Sequence, residues 1–97
     1  MRLDKLLERL DYEVVQGTDQ TEITTLINDS RKAEKGSVFV CISGAVSDGH
    51  SYAADVAAKG AAALVVEHNV HVPEDVSVIL VKDTRNALSL MSPAYLG

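Results

Sequence analysis

Several things are scarce in this 97-residue chain, and each scarcity narrows what it can be. It has one cysteine, Cys41, so no internal disulfide can form and no cysteine cluster can hold a metal. It has no tryptophan, one phenylalanine and three tyrosines, which leaves the core to Val, Leu, Ile and Ala. No apolar run approaches the roughly 20 residues that a membrane-spanning helix needs. The opening MRLDKLLERL alternates charge with leucine, unlike a secretory signal, so a cytoplasmic setting is expected. Basic residues are outnumbered: the net charge is −5, and with no clustered positive surface a nucleic-acid partner is not expected. The chain also lacks a GxxxxGK[ST] phosphate loop and a GxGxxG after its first strand, which removes the common nucleotide fingerprints. What remains has the length and composition of one small globular domain.

The periodicities place elements along it. Leu3, Leu6, Leu7 and Leu10 recur at helical spacing among charged residues, giving a short amphipathic helix. Tyr12 to Val15 reads as a strand closed by a turn at Gly17, and Ile23 to Ile27 as a second, ending at Asn28-Asp29-Ser30. Val38 to Ile42, apolar throughout and bounded by Gly36 and Gly44, suits a strand covered on both faces. Cys41 lies in that run, as a small buried hydrophobe. A small-residue loop, Ser43 to Gly49, leads to a helix over about Ser51–Lys59, with Tyr52, Val56 and Ala57 as its apolar stripe and Gly60 as its left-handed C′ residue. Ala61 to Val66 then completes a strand–helix–strand unit. Val78 to Val81 is a further strand. Asp83 or Thr84 caps a last helix with Leu88, Met91 and Tyr95 on its apolar face, and Pro93 is expected to kink or fray it. The fold class is α/β: a small sheet with a βαβ crossover and flanking helices.

Catalytic groupings are missing. His68 and His71 share a loop without a third ligand nearby and His50 lies in another segment, so solvated histidines are expected rather than a metal site. No serine sits in a nucleophile elbow. Two loops carry the interest, Asn28-Asp29-Ser30-Arg31 and Gly44 to Gly49, because ligands of open α/β sheets collect beyond the carboxyl ends of the strands. Asp29, Arg31 and Asp48 read first as scaffold, since Asp caps turns and Arg ties loops by charged hydrogen bonds. Ser30 and the backbone of Ala45 to Ser47 are better placed to touch a ligand. A valine at Gly49 would damage its loop if the backbone there needs a positive φ.

These residues, in order, resemble a known family. Asp29-Ser30-Arg31, Gly36-Ser37-Val38-Phe39-Val40, Gly44, Asp48-Gly49-His50, Gly60-Ala61-Ala62, Leu64-Val65-Val66-Glu67 and Val81-Lys82-Asp83-Thr84-Arg85-Asn86-Ala87-Leu88 together look like the N-terminal domain of Mur ligases, over nearly the whole chain. The Leu-rich opening, the Val-Val-Gln-Gly segment and the Asp-Ser-Arg form are most similar to the ligases that add the third amino acid of the stem peptide, meso-diaminopimelate or L-lysine. The ligases that add D-alanyl-D-alanine carry a related domain.

The resemblance implies that residues 1–97 form a domain holding the uridine diphosphate of a UDP-N-acetylmuramoyl dipeptide. Central and C-terminal domains of the same ligase would follow. ATP and Mg²⁺ would belong to the central domain, with no cofactor and no catalytic residue in this chain. Carried over residue by residue, the uridine contacts fall on Asn28, Ser30, Ala45, Val46 and Ser47. Asn28 stands where relatives often carry an apolar residue. Two other readings are a free-standing UDP-sugar-binding module and an α/β scaffold without a ligand.

Overall fold

The computed structural model describes residues 1–42 and 48–96. Its elements run α1 (Leu3–Leu6), β1 (Glu13–Gln16), β2 (Thr25–Ile27), a 3₁₀ turn (Ser30–Lys32), β3 (Ser37–Val40), a second 3₁₀ turn (Gly49–Tyr52), α2 (Ala53–Ala58), β4 (Ala63–Val66), β5 (Ser77–Leu80) and α3 (Thr84–Leu96). The five strands form one sheet in the order β1-β5-β4-β3-β2. β2 to β5 are parallel to one another, and β1 closes the β5 edge in antiparallel pairing. The expected βαβ unit is β3–α2–β4, whose strands pair directly, Phe39 opposite Leu64.

The apolar runs are explained by two covered faces. Val38 and Val40, with Val65 and Ile79, point to one side and pack with Leu3 and Leu6 of α1, Leu7 just after it, and Ala87 and Met91 of α3. Phe39, Leu64, Val66 and Val78 point to the other side, against Ala53 and Val56 of α2. β3 and β4 are buried at every position, as a parallel strand between two helical layers must be.

Chain reversals follow local chemistry. After α2, the Ala61 N–H donates to the Val56 carbonyl and the Gly60 N–H to that of Ala57, while Gly60 holds φ +99°. That is a Schellman ending, and only glycine takes that φ without a steric penalty. At α3 the cap is Asp83: its Oδ1 accepts from the N–H groups of Arg85 (3.0 Å) and Asn86 (3.1 Å).

Some expectations shift. α1 stops at Leu6, and Leu10 reaches the core from the turn beyond it, partly buried. The helix expected from Ser51 begins as a 3₁₀ turn, which rotates Tyr52 out of the apolar stripe and leaves it 37% exposed. Tyr95 is equally exposed, its hydroxyl 3.2 Å from Thr25 Oγ1. α3 continues past Pro93 to Leu96, because a proline in the last turn costs one exposed backbone bond.

Candidate functional site

The carboxyl ends of β2 and β3 border a groove of about 570 Å³. One wall is Asn28, Asp29, Ser30 and Arg31; the other is Gly49 and Tyr52 of the second 3₁₀ turn, with Phe39 and Ile42 adding apolar lining. Its position agrees with the crevice expected beyond the ends of parallel strands.

The first wall is a small, stiff structure. Asp29 caps the 3₁₀ turn by accepting the Arg31 N–H at 3.0 Å. The Arg31 guanidinium returns to the same carboxylate in a two-pronged pair, Nε to Oδ1 at 3.0 Å and Nη2 to Oδ2 at 2.8 Å. These bonds, the side-chain pair first and the backbone N–H second, hold the Asp29 carboxyl down at about 2. Lys59, at the end of α2, donates to the Ser30 carbonyl at 3.1 Å and ties the turn to the neighbouring crossover. Asp29 thus caps its turn as expected, whereas Arg31 closes back on that same turn instead of tying two loops together. Asn28 and the Ser30 hydroxyl, by contrast, line the groove without a side-chain hydrogen bond to any described residue. Ala45, Val46 and Ser47, the other expected contacts, lie outside the described residues.

Gly49 shapes the second wall, but for a different reason than a positive φ. Positive φ among the described glycines occurs at Gly17, Gly36 and Gly60. At Gly49 the need is space: a Cβ would stand 2.6 Å from Ile42 N and 3.0 Å from Ile42 O, and the Gly49 N–H donates to that carbonyl at 2.8 Å.

Beside the groove runs a network that the linear reading missed. Asp48 Oδ1 accepts the His50 N–H at 3.0 Å and lies 2.6 Å from His50 Nδ1. His50 Nε2 accepts the Glu67 N–H at 2.9 Å, so the ring hydrogen sits on Nδ1. The Glu67 carboxylate accepts from both the N–H (2.8 Å) and the hydroxyl (3.0 Å) of Thr84, the first residue of α3. Three separated sequence motifs thus converge where the loops after β3, β4 and β5 meet. Their residue types were visible in the sequence; the contact between them was not.

Of the histidines, His68 and His71 are exposed as expected, whereas His50 is only 7% exposed and His68 stacks on it with ring centroids 4.0 Å apart. Asp48, His50 and His68 bring one potential ligand atom each within 4.8 Å of one another. Both His50 nitrogens are already engaged, however, and a metal would have to break the Asp48 or the Glu67 bond. Cys41 is fully buried, and desolvation pushes its thiol up to about 12. No helix among the described residues is long and apolar enough to cross a membrane.

Comparison with known proteins identifies the chain's relatives. The "Mur ligase family, catalytic domain" profile matches residues 22–95. Over 97 aligned residues the chain is 45% identical to the UDP-N-acetylmuramoyl-L-alanyl-D-glutamate–2,6-diaminopimelate ligase of Clostridium perfringens, covering all of this chain and 20% of that protein. It is 46% identical over 98 residues to the ligase of the same name from Bacillus velezensis, again with full coverage here and 20% there. Among solved structures, MurF from Acinetobacter baumannii superposes with a TM-score of 0.78 at 30% identity, covering 96% of this chain and 20% of that one. The chain spans about a fifth of the length of the curated relatives it matches. With the profile covering most of its length and such relatives along all of it, the chain belongs to the Mur ligase family.

Proposed function

We propose that residues 1–97 form the N-terminal domain of an ATP-dependent ligase of peptidoglycan synthesis and hold the uridine diphosphate end of a UDP-N-acetylmuramoyl dipeptide. The observation that carries this reading is the groove beyond β2 and β3, where Asn28 and Ser30 offer polar groups that no described residue satisfies. Uracil presents an acceptor, a donor and an acceptor along one edge. Asn28, the Ser30 hydroxyl and the backbone of Ala45, Val46 and Ser47 supply the complementary set, and backbone recognition makes no demand on the side chains of Ala45 and Val46. The Asp29–Arg31 pair keeps Ser30 in place without touching the ligand.

The reaction attached to this reading joins an amino acid, diaminopimelate in the relatives matched at 45% and 46% identity, to the dipeptide carboxylate. The D-alanyl-D-alanine-adding alternative is less favoured: the MurF structure matches at 30% identity against 45% for the diaminopimelate ligase. This chain has no phosphate loop of the GxxxxGK[ST] kind, so ATP and Mg²⁺ are assigned to the remainder of the ligase, and residues 1–97 contribute binding rather than bond-making.

The test is an NMR titration of the labelled chain with UDP, the UDP-muramoyl dipeptide and ATP. Shifts centred on Asn28–Arg31 and Ala45–Ser47 with both uridine ligands, and none with ATP, are expected, even at a dissociation constant of about 1 mM. A Ser30→Trp variant should lose that response while keeping its melting temperature. No shift at saturating uridine ligand, or loss of folding in the Ser30 variant, counts against the assignment.

A further inference from the structure

The second wall of the groove stands on a residue that does not line it. Gly49 and Tyr52 face the cavity, whereas His50 between them turns inward and is 7% exposed. Its ring is held from both sides, by Asp48 two residues back and by the Glu67 N–H from the loop after β4. Glu67 is fixed in turn by its carboxylate on the start of α3. The bond to Asp48 is local and would exist in an isolated turn. The bond to Glu67 crosses from the loop after β3 to the loop after β4, and with the Gly49 N–H bond to the Ile42 carbonyl it relates the Gly49–Tyr52 wall to the body of the sheet.

We infer that His50 is a positioning residue for the groove, acting through its Nε2 lone pair on the Glu67 N–H to set where Gly49 and Tyr52 stand opposite Asn28 and Ser30. The inference rests on the proposal that the groove takes uridine diphosphate. A rigid ring suits the task because it carries a donor and an acceptor at fixed spacing, one for each loop. His68, stacked over the ring, shields it from water.

Two substitutions separate the two bonds. In His50→Asn the amide falls near the position of Nδ1, keeping a donor for Asp48 and losing the acceptor for Glu67. In His50→Gln the amide oxygen reaches the position of Nε2 and restores that acceptor. Affinity for UDP is measured by NMR titration, at a temperature where each variant is folded by its own melting curve. His50→Asn should bind about tenfold more weakly and His50→Gln within about twofold of the parent chain, the difference expected for one interior hydrogen bond. Nitrogen-15 spectra of the parent imidazole, which need no variant, should show the Nδ1–H tautomer. The inference is overturned by an Nε2–H tautomer, by equal UDP affinity in the parent chain and His50→Asn, or by equal losses in both variants. If the parent chain binds no uridine ligand, it is the uridine proposal that fails. The amide signals of Asn28–Arg31 and Gly49–Tyr52 then decide on positioning alone: displacement in His50→Asn but not in His50→Gln upholds it, and unchanged signals overturn it.

Discussion

Replacing Gly49 by alanine sets two effects of opposite sign against each other. The backbone there lies outside the positive-φ region, so an alanine fits the local conformation, and restricting the unfolded chain should stabilise the fold by about 0.4–1 kcal/mol. Against that, the new Cβ would lie 2.6 Å from Ile42 N, 3.0 Å from Ile42 O and 3.1 Å from Cys41 C. All three atoms are backbone, and their segment is anchored in the sheet by the Cys41 N–H bond to the Val65 carbonyl at 2.9 Å. Nothing there can swing aside as a side chain would. Overpacking of this kind costs about 1–3 kcal/mol, so once the gain is subtracted the net loss at mid-range is about 1.3 kcal/mol. For a domain of this size that lowers the melting temperature by roughly 5–10 °C. Thermal unfolding followed by circular dichroism, parent and variant side by side, reads the difference directly. A melting temperature equal to or above the parent's would refute the reasoning, because it would leave only the entropic gain and no close approach.

Three further outcomes are expected. Asp83→Ala removes the acceptor for two N–H groups at the start of α3 and should cost about 1 kcal/mol in urea unfolding; an unchanged midpoint would show that Glu67 suffices as the cap. Asp29 has a folded-state value of about 2, below its ordinary 3.8, so its pairing with Arg31 contributes fully above pH 4 and is lost as pH falls through 2. Carboxyl carbon shifts should give that midpoint and, in Arg31→Ala, a higher one; a midpoint near 3.8 in the parent would mean that the pair does not persist in solution. Cys41, buried with its thiol pushed up to about 12, should resist disulfide reagents at pH 8 until urea unfolds the chain, and rapid labelling of native protein would contradict its burial.

The fold was largely legible because its strands and crossover announce themselves locally. Val38–Ile42 and Ala63–Val66 are too apolar to face water on either side, and Gly60 marks the end of α2 by a conformation that other residues avoid. The first site wall was legible for the same reason: Asp29 and Arg31 meet within a single turn. Contacts made across the sheet were not. Nothing in the spacing of His50, Glu67 and Thr84 says that they touch, since their meeting depends on which strands lie side by side. Tyr52 was misjudged because helical spacing was extended back into a 3₁₀ turn, whose tighter winding points the side chain elsewhere. The reason for Gly49 was misread because a glycine's need for room is a tertiary fact, invisible in its neighbours along the chain.

The pairing of β1 with β5 carries a consequence for the order of assembly. Glu13 lies opposite Leu80, and α1 packs with α3, so residues 3–16 are completed only by residues 77–96. On a ribosome, α1 and β1 must wait with their apolar stripe unsheltered while β2, β3 and β4 emerge, and the sheet gains its antiparallel edge only when β5 is available. Such long-range closure is paid in chain entropy before it is rewarded, which slows folding relative to a helical domain of equal size. Nascent chains stalled before Ser77 should therefore remain protease-sensitive along their whole length, and protection should arrive in one step once α3 has cleared the exit tunnel.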